Sequence, residues 1–158
     1  MRAHLRLELK AAKTGETLAV RHEYNSVLRS GADLLARLFS GQGAGITHMA
    51  VGTSDAPEGE AFDSAGLADA FEVAIPPDAF TIDPPDPVKR VVRVRVRATV
   101  PAPEALGTIR EAALLSRQGD QATLYNRVTF APIEKTGDHE LTLFWEVGFP
   151  YGDLQWLL

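Results

Sequence analysis

The stretch "KRVVRVRVRATV", Lys89 to Val100, decides the fold. Val92, Val94, Val96, Ala98 and Val100 fall at every second position, and Arg93, Arg95, Arg97 and Thr99 fill the places between. Side chains on a strand alternate between its two faces, so the spacing predicts one long strand with an apolar face turned inward and a guanidinium face turned outward. Arg90 stands just ahead of the alternation. Such a face suits nucleic acid or carboxylates. Nucleic acid calls for basic surroundings, interleaved aromatics for stacking, or a helix that enters a groove. No aromatic lies between Lys89 and Val100, and the chain carries a net charge of −5. Carboxylate is therefore the expected partner, within the chain or on a neighbouring copy, and no nucleic acid is expected.

The carboxylates stand just upstream. Thr53 to Pro87 holds nine acids and no Lys or Arg, so the rest of the chain sums to +4. Asp55, Glu58, Glu60 and Asp63 crowd its first part. Pro76, Pro77, Pro84, Pro85 and Pro87 forbid a continuous ladder or helix there, because proline lacks the N–H that both require. The segment reads as an acidic excursion with short strand pieces at "AFEVAI" and "AFTID".

Outward from these two segments the pattern is mostly β. "HLRLELKA" alternates Leu5, Leu7 and Leu9 with Arg6, Glu8 and Lys10, and "TLAVRHEY" returns after a turn at Gly15, which predicts an N-terminal hairpin. "NSVLRSGADLLARLFSG" carries Leu28, Ala32, Leu35, Leu38 and Phe39 at helical spacing, with Asn25 or Ser26 as cap and Gly41 as stop. Gly31 inside that helix suggests close packing against a sheet. "ITHMAVG" is a short strand. "TIREAALLS" suits a strand or a short helix equally. "ATLYNRVTFAPI" and "HELTLFWEVGF" read as two strands of a hairpin turned at Gly137. Nothing alternates as βαβ units do. The expected architecture is a single domain over residues 1–158, an antiparallel β-sandwich with one α-helix packed on it, and with the acidic excursion at about 53–87.

Composition narrows the function classes. A chain of 158 residues buries a core without covalent staples. It has no cysteine, which excludes disulfides, thiolate metal sites and cysteine nucleophiles. It has neither a membrane-length apolar run nor an apolar leader at "MRAHLRLELKAAKTG", so folding in the cytoplasm and no membrane contact are expected.

Motifs for chemistry are weak. "GQGAG", Gly41 to Gly45, follows a helix and opens a strand, the reverse of a dinucleotide fingerprint. "DAPEGEAFD" lacks the spacing of a calcium loop. His4, His22, His48 and His139 show no metal-ligand spacing, although His4 and His22 can face each other across the hairpin. No "GxSxG" occurs. Glu111, set among apolar residues, suits a catalytic acid or an internal partner for an arginine such as Arg127, and pairing is the expected reading. No catalytic, cofactor-binding or metal-binding residue is assigned.

The order of pieces resembles small structural proteins of bacteriophage tails and phage-tail-like particles. The resemblance runs from Asn25 to Phe149 apart from the acidic excursion. It is carried by Asn25, Gly31, Leu35, Ala36, Ile46, Ala50, Val51, Gly52 and Thr53, then by Glu111, Leu114, Arg127, Phe130, Ile133, Lys135, Leu141, Leu143, Trp145, Val147 and Phe149. It implies a non-enzymatic particle subunit, a baseplate or fibre-attachment adaptor. Such a protein is assembled in the cytoplasm, then held in the particle by other structural proteins and by copies of itself. Subunit contacts are expected at Arg90, Arg93, Arg95 and Arg97, at Asp55, Glu58, Glu60 and Asp63, and at the apolar end Trp156, Leu157 and Leu158. The alternative is a ligand- or carbohydrate-binding β-sandwich module. It needs an exposed aromatic platform, whereas Trp145 shares a strand face with Leu141, Leu143, Val147 and Phe149 and belongs in the core.

Overall fold

The computed structural model describes residues 2–64 and 66–153. In chain order it contains β1 (Arg2–Ala11), β2 (Thr17–Val27), α1 (Arg29–Phe39), β3 (His48–Gly52), β4 (Phe71–Ala74), β5 (Phe80–Ile82), β6 (Val91–Val100), β7 (Gly107–Gln118), β8 (Gln121–Leu124), β9 (Asn126–Lys135) and β10 (His139–Pro150). The chain is mainly β and antiparallel, with a single α-helix among the described residues. The strands do not form two separate stacked sheets. They make one hydrogen-bonded sheet in the order β4-β3-β7-β9-β2-β1-β10-β6-β5, with β8 added on β7. The join between its two arms is narrow: β2 meets β9 only at Ser26–Arg127 and Val27–Asn126. Curling at that join lets both arms bury their inner faces in a shared core.

Alternation builds the arm β2-β1-β10-β6. Leu5, Leu7 and Leu9 of β1, Leu141, Leu143 and Trp145 of β10, and Val96, Ala98 and Val100 of β6 are all buried. Trp145 is 1 % exposed, and its indole N–H donates to Asn25 Oδ1 at 3.0 Å.

The chain departs from sequence expectation in four places, each for a physical reason. "TIREAALLS" is strand throughout. Residues 111–116 of β7 are continuously buried because Ala112 and Leu114 enter the main core, while Ala113 and Leu115 pack on the other face against Leu28, Leu124 and Leu67. A strand covered on both faces loses its alternation. Second, β2 runs on to Val27, so Asn25 and Ser26 are strand residues; Leu28 precedes the helix, and no side chain caps it. Third, Leu34 is the helical leucine buried in the core, whereas Leu38 is exposed and Phe39 is 97 % exposed. Fourth, the turn at Gly137 joins strands that do not pair: β9 lies between β7 and β2, and β10 between β1 and β6. That turn carries the chain from one arm to the other.

Gly31 fulfils its expectation. A Cβ there would sit 1.9 Å from the carbonyl oxygen of Tyr125, so the helix approaches the sheet backbone more closely than any side chain allows.

Candidate functional site

Two polar constellations stand out, one on the outer side of each arm. The first is internal to the fold. Glu111 on β7 lies opposite Gly52 on β3, and a Cβ at Gly52 would fall 2.5 Å from Glu111 Oε1. The glycine of "AVGT" is therefore the space that the carboxylate occupies. Glu111 Oε1 accepts the backbone N–H groups of Ala68 at 2.8 Å and Ser54 at 3.2 Å. Its Oε2 accepts Arg127 Nε at 2.7 Å. Arg127 then donates to Glu58 Oε1 at 2.8 Å and to the carbonyl of Ala56 at 2.7 Å. Burial pulls Arg127 toward the neutral form, but its hydrogen bonds to the carboxylates of Glu111 and Glu58 outweigh it and hold the guanidinium above its ordinary pKa. Both strands thus reach out to pin Ser54, Ala56, Glu58 and Ala68. Asp63 adds a third tie through Arg29 Nε at 2.9 Å. The pairing of Glu111 with Arg127 is as expected from sequence.

A second buried cation had no assigned role in the sequence. Lys135, 2 % exposed, donates to the carbonyls of Pro101, Ala102 and Glu104 at 2.9, 2.9 and 2.6 Å. Desolvation lowers its pKa, with the charges of Glu104 and Glu140 opposing. The available signal was parity, since Lys135 shares the inward side of β9 with Ile133.

The arginine face lies on the other arm and looks outward. Arg93 meets Asp86 at 3.3 Å and Glu146 at 3.2 Å, and Arg95 meets Asp83 at 2.6 Å. The acidic excursion thus supplies two of these partners from the same chain. Asp86 also accepts the backbone N–H groups of Lys89 and Val88 at 2.9 Å each. Those bonds and Arg93 hold its carboxyl below the usual range, against partial desolvation. Arg90 is not part of the strand face: it closes the turn ahead of β6 with φ of 53°, and its carbonyl accepts Tyr151 N–H. Arg97 is exposed, and no carboxylate among the described residues pairs with it. Asp55 and Glu60 are exposed and likewise lack an ion pair among the described residues. Trp156, Leu157 and Leu158 lie outside the described residues.

Comparison with protein-family models, with curated proteins and with solved structures finds no match. The geometry is therefore the basis for any reading of function.

A groove of about 1020 Å³ runs over the arginine face. Its floor includes His4, Arg6, His22, Arg95, Arg97, Phe144 and Glu146, and its wall includes Val73, Pro76, Asp78 and Ala79. The register sets His4 opposite Tyr24 and His22 opposite Arg6, so the two histidines are diagonal neighbours, and their rings stack with centroids 5.5 Å apart. The Arg6 guanidinium lies 4.3 Å above the Phe144 ring, a cation–π contact. A smaller pocket of about 330 Å³ lies beside Glu111 and Arg127. No group of three or more His, Asp and Glu able to hold a metal occurs among the described residues. No helix among them is long and apolar enough to cross a membrane.

Proposed function

We propose that this chain is a non-enzymatic structural subunit of a phage tail or phage-tail-like particle, a baseplate or fibre-attachment adaptor that works through contacts with other structural proteins and with copies of itself. On this reading it folds in the cytoplasm before it joins the particle. One observation carries the reading. The glycines and polar residues that the chain shares with the tail-protein pattern are spent on internal contacts. Gly31 admits Tyr125, Gly52 admits Glu111, Glu111 holds Arg127, Asn25 holds Trp145, and Lys135 holds the Pro101–Glu104 turn. A pattern made of frame residues specifies a scaffold whose outward faces are left for partners. Charged outward faces suit that role, because complementary charge steers assembly and rejects wrong partners.

The test is sedimentation. Particles from lysates of cells that carry this gene are pelleted through a density gradient and their proteins identified by mass spectrometry. The chain is expected in the fraction that holds tail-shaped particles. Its confinement to the soluble fractions, while such particles pellet without it, would overturn the reading.

The groove favours a second reading, a ligand-binding module in which the two arms act as the layers of a sandwich. Against it, Trp145 is buried, and Phe144, the groove's aromatic floor, lies under Arg6 rather than open to a sugar ring.

A further inference from the structure

Strand register turns the outer face of the arm β2-β1-β10-β6 into a grid. One row of it reads His22, Arg6, Phe144, Arg97, each residue directly opposite the next. That row holds two guanidinium groups flanking an aromatic ring and contains no acid. Neighbouring rows supply Glu8 and Glu146, but these are already engaged. Glu8 is shared between Arg6 at 3.4 Å and Lys10 at 3.5 Å, and Glu146 is bound to Arg93. Asp78 on the wall is the groove's remaining acid, and it pairs with no cation among the described residues. Arg97 is left over.

The complementary surface is on the same chain but outside the groove. Residues 54–63 bear the exposed acids Asp55 and Glu60 and, next to them, Phe62, 47 % exposed. Glu58 and Asp63 pin this loop to Arg127 and Arg29. It therefore lies over the face of β7 that carries Glu111, Ala113 and Leu115, which is opposite to the face that enters the main core. The groove lies over β2, β1, β10 and β6 and is walled by β4 and the turn after it, and no residue of 54–63 lines it. Among the described residues no ion pair joins the loop to a groove residue of its own chain; the loop is held instead by Arg127 and Arg29.

We propose that the chain associates head to tail with a second copy of itself, the acidic loop of one copy entering the cationic groove of the next. Asp55 and Glu60 meet Arg97 and Arg6, and Phe62 adds an aromatic edge to the Arg6–Phe144 stack. A contact between two different surfaces is heterologous, so it repeats into a ring or a filament rather than stopping at a symmetric dimer. The charges are exposed, so the contact weakens as salt shortens the reach of the field. The inference stands on the grid and the pinned loop, independent of the particle reading; the chain can self-associate whether or not it belongs to a tail.

The experiment is light scattering on the purified full chain at low salt (~0.05 M) and high salt (~0.5 M), values chosen to bracket a Debye length of about 10 Å. The native protein is expected to form assemblies at low salt that dissociate at high salt. Arg6→Gln with Arg97→Gln removes the two guanidinium groups that receive the loop, and Asp55→Asn with Glu60→Gln removes the two carboxylates that meet them. Each double variant alone is expected to be monomeric. Mixed in equal amounts they are expected to form pairs and nothing larger, since only one intact loop and one intact groove remain between them. That pairing also shows that both variants are folded. A native protein that stays monomeric at low salt, or a variant that assembles as the native chain does, would overturn the proposal.

Discussion

Arg127 Nε stands 2.7 Å from Glu111 Oε2, with Arg127 5 % exposed and Glu111 1 % exposed. The pair bridges adjacent strands, β9 and β7, and at the same time ties down the loop that follows β3 through Ser54, Ala56, Glu58 and Ala68. An exposed pair of the same length would count for little, because water and salt screen it. This pair is desolvated, so its members depend on one another.

Removing one partner leaves the other as an uncompensated buried charge. Arg127→Met is expected to cost about 3–5 kcal/mol in urea denaturation, and Glu111→Leu with Arg127→Met together are expected to cost less than Arg127→Met alone. A loss under about 1 kcal/mol in the single variant would contradict the account. Arg95→Ala is the surface comparison. It breaks an equally short bond to Asp83 on an exposed side chain and is expected to leave the urea midpoint unchanged.

Gly31→Ala places a Cβ against the carbonyl of Tyr125, and backbone on both sides prevents easy relief. A loss of roughly 2 kcal/mol or more is expected, which for a domain of this size lowers the thermal midpoint by several degrees. Gly137→Ala meets nothing within 4 Å and serves as the control. Equal midpoints for the two variants would show that α1 does not pack as described.

Lys135→Met keeps the length of the side chain but strips three carbonyls of their common donor. Buried acceptors without partners cost about 1–3 kcal/mol. The turn at 101–104 is expected to loosen first, seen as faster amide exchange in Gly107 and Thr108 beside it. Unchanged exchange there, together with unchanged stability, would contradict the assigned role.

Alkaline pH tests the burial of Tyr125, whose phenol is pushed up to about 12 by desolvation from an ordinary value of 10.0. In the unfolded chain that phenol ionises first, so above pH 10 the unfolded state binds fewer protons than the folded one. The stabilising contribution is complete below pH 10 and is lost as pH rises toward 12. Lys135 works in the opposite sense below 10.5, because its lowered folded pKa lets the folded state release a proton first. Ultraviolet titration of the folded protein is expected to show a late step, with the Tyr125 phenol still protonated above pH 10.0. A folded-state titration without that late step would contradict this.

Much of the fold is legible in the sequence where one face of a strand meets the core and the other meets water. β1, β6 and β10 alternate strictly, and each was marked by that alternation alone. The signal fails on β7 because Ala112 and Leu114 are covered on one side and Ala113 and Leu115 on the other. It also fails at Asn25 and Ser26, where a strand runs to within two residues of a helix and capping chemistry imitates a boundary. The turn after Lys135 looked like a hairpin since turn residues report a reversal of the chain and not which strands pair. Glu111 and Arg127 were visible as charges inside apolar runs. The row His22, Arg6, Phe144, Arg97 was not visible, because it spans four strands and exists only once their register is known.

The most direct measurement of the central claim is electron microscopy of particles from cells with and without this gene. The account predicts that particles lacking the chain are incomplete at the baseplate or lose their fibres, and that supplying the native gene restores them. Particles of complete outline, with baseplate and fibres in normal number in the absence of the chain, would contradict it.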